Sequence, residues 1–271
     1  MPDPSDAERF FDDYAELYDV IYADHEFDDV AFYVDRARAA DGPVLDVACG
    51  TGRVYLELLR AGVDADGFDL SRGMLDELER KADEAGLDPD VWKADMTDFE
   101  APREYALVIV PFRSFLHNLT VDDQIAALER FRAALAPGGE LVLNVFPPDF
   151  DEICGEYGDP RESHVVVDGM AFREERTSEF ADAVEQVVNY QWLFHPVGPA
   201  DDVGTDRELD VDLPEEVPSL LVNDFKLSLI GKQQFELLFR TAGYDEWTVY
   251  GGFDLEPFES TDQEMVWVAR S

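Results

Sequence analysis

The chain has 271 residues and carries 62 acidic against 21 basic side chains, which gives it a net charge of -41 at pH 7. This excess argues against nucleic acid as a partner, because binding phosphates requires clustered cations. No apolar run approaches the roughly 20 residues that span a bilayer, and the N-terminus lacks a signal-peptide pattern, so we expect a cytoplasmic protein that does not bind membranes.

The acidic residues are spread along the chain rather than gathered into one tail, as DAERFFDDYAELYD and DDVGTDRELDVD show. This distribution is similar to that of proteins from salt-accumulating haloarchaea. Mutual repulsion of carboxylates destabilises a compact chain in dilute buffer. Because about 1 M salt shortens the Debye length to about 3 Å, we expect the protein to need high salt to fold.

The first 145 residues alternate short apolar runs with helical patterns, which is typical of a parallel sheet wrapped by helices in an α/β fold. Ser71 is placed to cap a helix that Gly86 ends. Thr120 is placed to cap another, which the PGG of residues 137–139 ends. The predicted strands are PVLDVA, DADGFDL, DVWKA, YALVIV and GELVLNVF.

The pattern changes after Phe146. Asp168-Gly169 lies between two extended runs and predicts a hairpin. One alternating apolar face is predicted in the segment that follows, formed by Val184, Val188, Tyr190, Trp192 and Phe194. We therefore expect an antiparallel insertion over residues 151–230, interrupted by an acidic loop at 196–218, before one last helix and two closing strands over 231–271.

The segment VLDVACGTGR, at residues 44–53, ends a strand in a glycine turn that feeds a helix. Such a turn brings free backbone amides to the carboxyl edge of the sheet, and Gly50 and Gly52 let a ligand approach the backbone. A tight connection without a ligand remains the alternative. Asp69 ends the next strand, where an acid can accept two hydrogen bonds from a ribose. Its alternative role, helix capping, suits Ser71 better.

A ribose-binding acid points to a nucleoside ligand, and two sequence motifs that are absent narrow its type. A dinucleotide fingerprint would need glycine at position 55, where Tyr55 stands. The phosphate-binding pattern G-x-x-x-x-G-K-[ST] does not occur either. A nicotinamide cofactor is therefore disfavoured.

The motifs VLDVACGTG, FDLS, KADMTDF and PGGELVLNVF together resemble the class I S-adenosylmethionine-dependent methyltransferases over residues 40–146, and the C-terminal segment resembles that family's last helix and two strands. The resemblance implies a Rossmann-like, doubly wound, mostly parallel seven-stranded sheet with an antiparallel final strand and the β insertion after strand 5. Residues 1–150 would then hold N-terminal helices and the cofactor-binding core. The implied cofactor is S-adenosyl-L-methionine. The implied cofactor residues are Tyr18, Asp46, Ala48, Cys49, Gly50, Gly52, Asp69, Leu70, Met74, Asp95, Met96 and Pro111.

The acceptor is expected at PFRSFLHNL, after the fourth strand. His117 is a candidate general base, with backbone-bonded packing as its alternative. Arg113 could hold an acceptor carboxylate or pair with a surface acid. The aromatic stripe of the insertion is either an acceptor lid or the inner face of a sheet, and Tyr14 or Tyr18 either closes the cofactor pocket or packs in the core.

These features predict a methyltransferase that acts on N or O of a small molecule. Methylation of a macromolecule is an alternative, although the [DN]-P-P-[FY] signature of amino-methylating relatives is absent after the fourth strand. A cofactor-binding regulatory protein without turnover is another. Cys49 and Cys154 are expected to be free thiols, and no metal site is expected. The oligomeric state stays open.

Overall fold

The computed structural model describes residues 15, 18, 19, 22, 29–167, 169–199, 207–209 and 221–270; for residues 207–209 and 221–223 it describes the backbone. Two compact units result. The core unit comprises Phe27–Asp149 and Ser228–Ser271, and the insertion unit comprises Met1–Glu26 and Phe150–Leu227. Within the described residues, no helix is long and apolar enough to cross a membrane.

The core unit contains a seven-stranded sheet in the order β11-β12-β5-β4-β1-β2-β3. Neighbouring strands from β3 to β5 are parallel, whereas β12 runs antiparallel to both β5 and β11. This confirms the predicted Rossmann-like fold with one antiparallel strand. The strands are β1 Val44–Val47, β2 Ala65–Asp69, β3 Asp90–Lys93, β4 Tyr105–Val110, β5 Leu135–Val145, β11 Glu246–Tyr250 and β12 Met265–Arg270.

Helices pack against this sheet, and its central strands are mostly buried and largely apolar, with Asp46 of β1 and Asp66 and Asp69 of β2 as buried exceptions. In β1 all four residues are buried, and in β4 only Ala106 is partly exposed. The helices are α1 Asp29–Ala39, α2 Tyr55–Arg60, α3 Arg72–Ala85, α4 Val121–Ala134 and α6 Lys232–Thr241, with a 3₁₀ helix at Ser114–His117.

The predicted helix caps are present. The Ser71 hydroxyl accepts a hydrogen bond from the Met74 amide, and the Thr120 hydroxyl accepts one from the Asp123 amide. Gly86 ends α3 in the left-handed region with φ of 68°. Each cap satisfies a backbone group that has no partner within its own helix.

The predicted end of α4 is wrong. The helix stops at Ala134, and β5 begins at Leu135, so the PGG of residues 137–139 lies within the strand. A register shift between the Tyr105–Leu135 pair and the Leu107–Glu140 pair accommodates the extra residues of β5. A Cβ on Gly139 would come within 2.9 Å of the Tyr105 carbonyl oxygen, which explains the glycine there.

The insertion unit contains a five-stranded sheet in the order β10-β8-β7-β6-β9. The predicted hairpin joins β6 to β7, with Val167 opposite Met170; Asp168 lies outside the described residues. The strands are β6 Arg161–Val167, β7 Met170–Asp182, β8 Val187–Pro199, β9 Arg207–Leu209 and β10 Leu221–Ser228, preceded by α5 Phe150–Gly155.

Two details of this unit differ from the prediction. The strand β8 continues to Pro199 because it stays paired with β7 as far as Met170, so the predicted loop at 196–218 starts later and includes β9. Val184 lies in the turn before β8 and is 85% exposed, so it does not share the apolar face. Val188 and Phe194 are buried as expected.

Candidate active site

The candidate site lies at the carboxyl edge of the core sheet, where the strand order reverses between β1 and β4. Loops from adjacent strands diverge at such a point and leave a crevice for a ligand. The glycine loop, Ala48–Gly52, leaves β1 here, and Asp69 ends β2 beside it. The Ala94 amide after β3 donates to the Asp69 carbonyl at 2.9 Å, which brings the end of β3 to the same edge.

The glycine loop needs both of its glycines, for different reasons. Gly50 has φ of 56°, and a Cβ placed on it would meet no atom within 4 Å. Gly52 has φ of 90°, and its Cβ would lie 2.8 Å from Cγ of Leu56 and 2.9 Å from Cγ of Leu78. Gly52 therefore allows the loop to pack on α2 and α3, whereas Gly50 leaves its backbone open to a ligand.

Gly52→Ala is expected to lower the free energy of unfolding by about 3 kcal/mol, because left-handed strain adds to overpacking against two leucines. Gly50→Ala should lower the free energy of unfolding by only about 1 kcal/mol, because the alanine is strained by its left-handed backbone but clashes with no neighbouring atom. Denaturant titration at high salt measures both changes. Equal losses in the two variants would contradict the packing role of Gly52.

Asp69 organises the loop through its carboxylate. One oxygen accepts from the Gly50 amide and the other from the Ser71 amide, both at 2.9 Å. The residue is 8% exposed. A carboxylate offers about four acceptor positions, and these two bonds fix the orientation of the group at the edge of the glycine loop.

Asp46, in β1, is 1% exposed, and neither of its oxygens has a hydrogen-bond partner within the described part of the chain. Burial raises its pKa well above the usual value; Arg53 opposes that rise, and Asp69 and Asp29 add to it. A buried carboxyl without donors is unfavourable unless a ligand supplies them. The position therefore suits a donor or a cation.

Three polar residues of this region were missed by the sequence analysis. Arg53 donates two hydrogen bonds to Asp29, both at 2.6 Å, and Asp29 is fully buried. Tyr33 is also fully buried, and its pKa is raised, first by burial and then by the charge of Asp29. The available signal was an arginine directly after the second glycine of the turn.

The remaining predicted cofactor residues lie in the core unit, except Tyr18. Asp95 accepts bonds from the Thr97 amide at 2.8 Å and hydroxyl at 2.7 Å, which holds the turn after β3. The Met96 sulfur accepts from Asn118 at 3.1 Å, and the Cys49 amide donates to the Phe68 carbonyl at 3.0 Å. Leu70 and Met74 flank the start of α3, and Pro111 follows β4.

Tyr18 belongs to the insertion unit, so its cofactor role stays a prediction. Its ring lies 4.6 Å from that of Tyr22, which lies 5.4 Å from Trp192. The guanidinium of Arg176 stands 4.3 Å from the centre of the Trp192 ring. Tyr14 lies outside the described residues.

Tyr55 has a structural role at the position where a dinucleotide fingerprint would have glycine. Its hydroxyl donates to the Ala65 carbonyl at 2.9 Å and accepts from the Asp90 amide at 3.0 Å, which ties β2 to β3. The ring is fully buried, and a Cβ on Gly67 would lie 3.1 Å from it. A large side chain thus fills this position.

The loop after β4 carries the two predicted acceptor residues. Arg113 forms a two-point ion pair with Glu264, at 3.0 and 2.7 Å. The sequence offered pairing with an acid as one interpretation, but placed that acid on the surface, whereas the Glu264 side chain is only 12% exposed. His117 ends the 3₁₀ helix, and burial lowers its pKa to about 4. The imidazole is therefore neutral at pH 7, and its low pKa makes it a weak base.

A cavity of about 720 Å³ lies elsewhere, at the amino-terminal ends of β2 and β3. Its lining includes Arg103, which bonds to both Asp64 and Asp66. This cavity is at the opposite edge of the sheet from the glycine loop. It is a separate feature from the candidate active site.

A family model described as a methyltransferase domain matches residues 44–139. A dTDP-3-amino-3,4,6-trideoxy-alpha-D-glucopyranose N,N-dimethyltransferase from Streptomyces venezuelae is 31% identical over 146 residues, 51% of this chain and 60% of that enzyme. A dTDP-3-amino-3,6-dideoxy-alpha-D-glucopyranose N,N-dimethyltransferase from Streptomyces fradiae is 34% identical over 144 residues, 50% of this chain and 55% of that enzyme. The matches therefore span less than two thirds of either relative.

Solved structures share the fold over nearly the whole chain. An S-adenosylmethionine-dependent methyltransferase from Clostridium acetobutylicum superposes with a TM-score of 0.73 at 17% identity, covering 96% of this chain and 98% of that one. DesVI from Streptomyces venezuelae gives 0.70 at 22% identity, covering 95% and 98%. At these identities the likeness shows the fold.

Proposed function

Because this chain belongs to the class I S-adenosylmethionine-dependent methyltransferases, we propose that it transfers a methyl group to an amino nitrogen of a small molecule, of the amino-sugar class. The observation that carries the proposal is the pair of buried carboxylates, Asp46 and Asp69, at one end of an open glycine loop. The amino group is suggested by the two sugar N,N-dimethyltransferases to which the chain is similar.

The residues present fit S-adenosylmethionine. Asp69, already oriented by two backbone amides, would accept the ribose hydroxyls. Asp46 lacks any described donor and would receive the cationic methionine end, with Gly50 giving access to the backbone. Leu70, Met74, Asp95 and Met96 would surround the adenine. The cofactor supplies an activated methyl group on a cationic sulfur.

His117 would serve the acceptor. With a pKa of about 4 its imidazole stays neutral at pH 7 but is a weak base. We therefore assign it the role of accepting a hydrogen bond from the attacking amine, rather than the general-base role that the sequence suggested. Arg113 is engaged with Glu264, so we assign it a role in shaping the loop rather than in holding an acceptor carboxylate. The reaction then depends chiefly on how the loop positions the acceptor nitrogen.

The depressed pKa of His117 predicts a pH effect on stability. The folded pKa is about 4 against an ordinary 6.5, so the unfolded chain binds a proton between these values that the folded chain does not. Stability therefore falls as the pH falls, by up to about 2 kcal/mol between pH 7 and 5. His117→Gln should remove that part of the slope. Denaturant titrations of the wild type and the variant at a series of pH values measure this difference. If stability depended on pH identically in both proteins, the lowered pKa of His117 would be wrong.

The function is tested with labelled S-adenosylmethionine and a cell extract separated by size, in about 2 M KCl to support the fold. Label in the small-molecule fraction supports the proposal, and mass spectrometry of the product distinguishes N from O methylation. Label in protein or nucleic acid would favour a macromolecular acceptor. Cofactor binding without transfer to either fraction would favour a regulatory protein. Amino sugars and their hydroxyl analogues then serve as matched pure acceptors.

A further inference from the structure

The loop after β4 contains two consecutive non-glycine residues in the left-handed region, Phe112 with φ of 56° and Arg113 with φ of 66°. Each such residue costs of order 1–3 kcal/mol and persists only where its surroundings hold it. Here the support is specific. The Phe112 amide donates to Asn144 at 2.9 Å, and Arg113 is paired with Glu264 through two bonds.

These supports form one connected network. Asn144 is 2% exposed; it also accepts from the Tyr33 hydroxyl at 2.8 Å and donates to Glu264 at 2.8 Å. Elements α1, β4, β5 and the start of β12 are thereby joined at one point. Fully satisfied buried networks of this kind hold a single backbone arrangement.

The strained arrangement brings Phe112 against the cofactor side of the site. The guanidinium of Arg53 lies 4.6 Å from the centre of the Phe112 ring. Arg53 directly follows the glycine loop, and its guanidinium also donates two hydrogen bonds to the Asp29 carboxylate. Phe112 and Asp29 together therefore leave Arg53 little freedom.

We propose that Phe112 is a positioning residue that couples the acceptor loop to the glycine loop. Its ring contacts Arg53, and its left-handed backbone is held in place by Asn144 and, through Arg113, by Glu264. The inference rests on the proposed function. Its consequence is that a side chain of the acceptor loop sets the affinity of the cofactor loop for its ligand.

The test is calorimetric titration of the full chain with S-adenosylhomocysteine at about 2 M KCl. Phe112→Leu keeps apolar bulk but loses the ring, and should weaken binding about three- to ten-fold. Phe112→Tyr keeps the ring and should bind within about two-fold of wild type. Trp247→Leu is the matched control, because it removes another ring–guanidinium contact, with Arg240, on β11.

The outcomes separate the inference from the proposed function. Weakening in Phe112→Leu alone, with Phe112→Tyr and Trp247→Leu unchanged, supports the coupling. Wild-type binding with an unchanged Kd in Phe112→Leu would overturn the coupling and leave the methyltransferase assignment intact. Absence of wild-type binding would overturn both. If Phe112→Leu does not fold, Glu264→Gln provides the test, because it weakens the ion pair that holds Arg113 in the left-handed conformation. An unchanged Kd in Glu264→Gln would then overturn the coupling.

Discussion

Asp69→Ala is expected to weaken S-adenosylhomocysteine binding roughly a thousand-fold, because the two charge-assisted hydrogen bonds that we propose it accepts from the ribose would be lost together. The substitution also leaves the Gly50 and Ser71 amides without the acceptor that orients them. The glycine loop would therefore lose its arrangement as well as its ribose partner. Calorimetric titration at high salt measures the change directly.

The control for this prediction is Asp76→Ala, which removes a carboxylate from the exposed face of the neighbouring helix. Asp76 is 65% exposed and pairs with Arg72 within α3. Its loss should leave the affinity unchanged. If both variants bound alike, the ribose role of Asp69 would be wrong, whereas a cooperative unfolding transition in Asp69→Ala guards against simple loss of the fold.

The parts of the site that could be predicted are those encoded locally. Gly50 and Gly52 lie within one turn, and the acid at the end of β2 follows from the strand pattern. The missed residues meet only through the fold: Arg53 and Asp29 are 24 positions apart, and Asn144 and Glu264 are 120 apart. No local periodicity encodes such contacts, because they depend on which strand ends become neighbours.

The errors in the fold have a similar cause. The sequence PGG normally ends a helix, but Leu135 already pairs with Tyr105, so strand pairing begins before the glycines. Cross-strand pairing likewise carries β8 through His195 and Pro196 to Pro199, where composition predicted a loop. In both places a tertiary contact outweighs a local preference.

The second large effect concerns salt. With a net charge of -41, the chain is expected to lose its cooperative fold when KCl is lowered from about 2 M to about 0.1 M, because the Debye length grows to about 10 Å and repulsion spreads over the surface. The 21 basic residues can neutralise only a minority of the 62 acidic ones. Circular dichroism against KCl concentration measures the transition, and a folded protein in dilute buffer would contradict it.

The cause of this transition can be isolated from general effects of solutes. Sucrose stabilises by exclusion from the surface and not by screening, so it should restore the fold less well than KCl. The exposed ion pairs do not supply an alternative to screening: Arg80, for example, is 53% exposed and shared between Glu77 and Glu84 on one helix. Such exposed pairs contribute little stability, so we expect the fold to depend on screening of the acidic surface by salt.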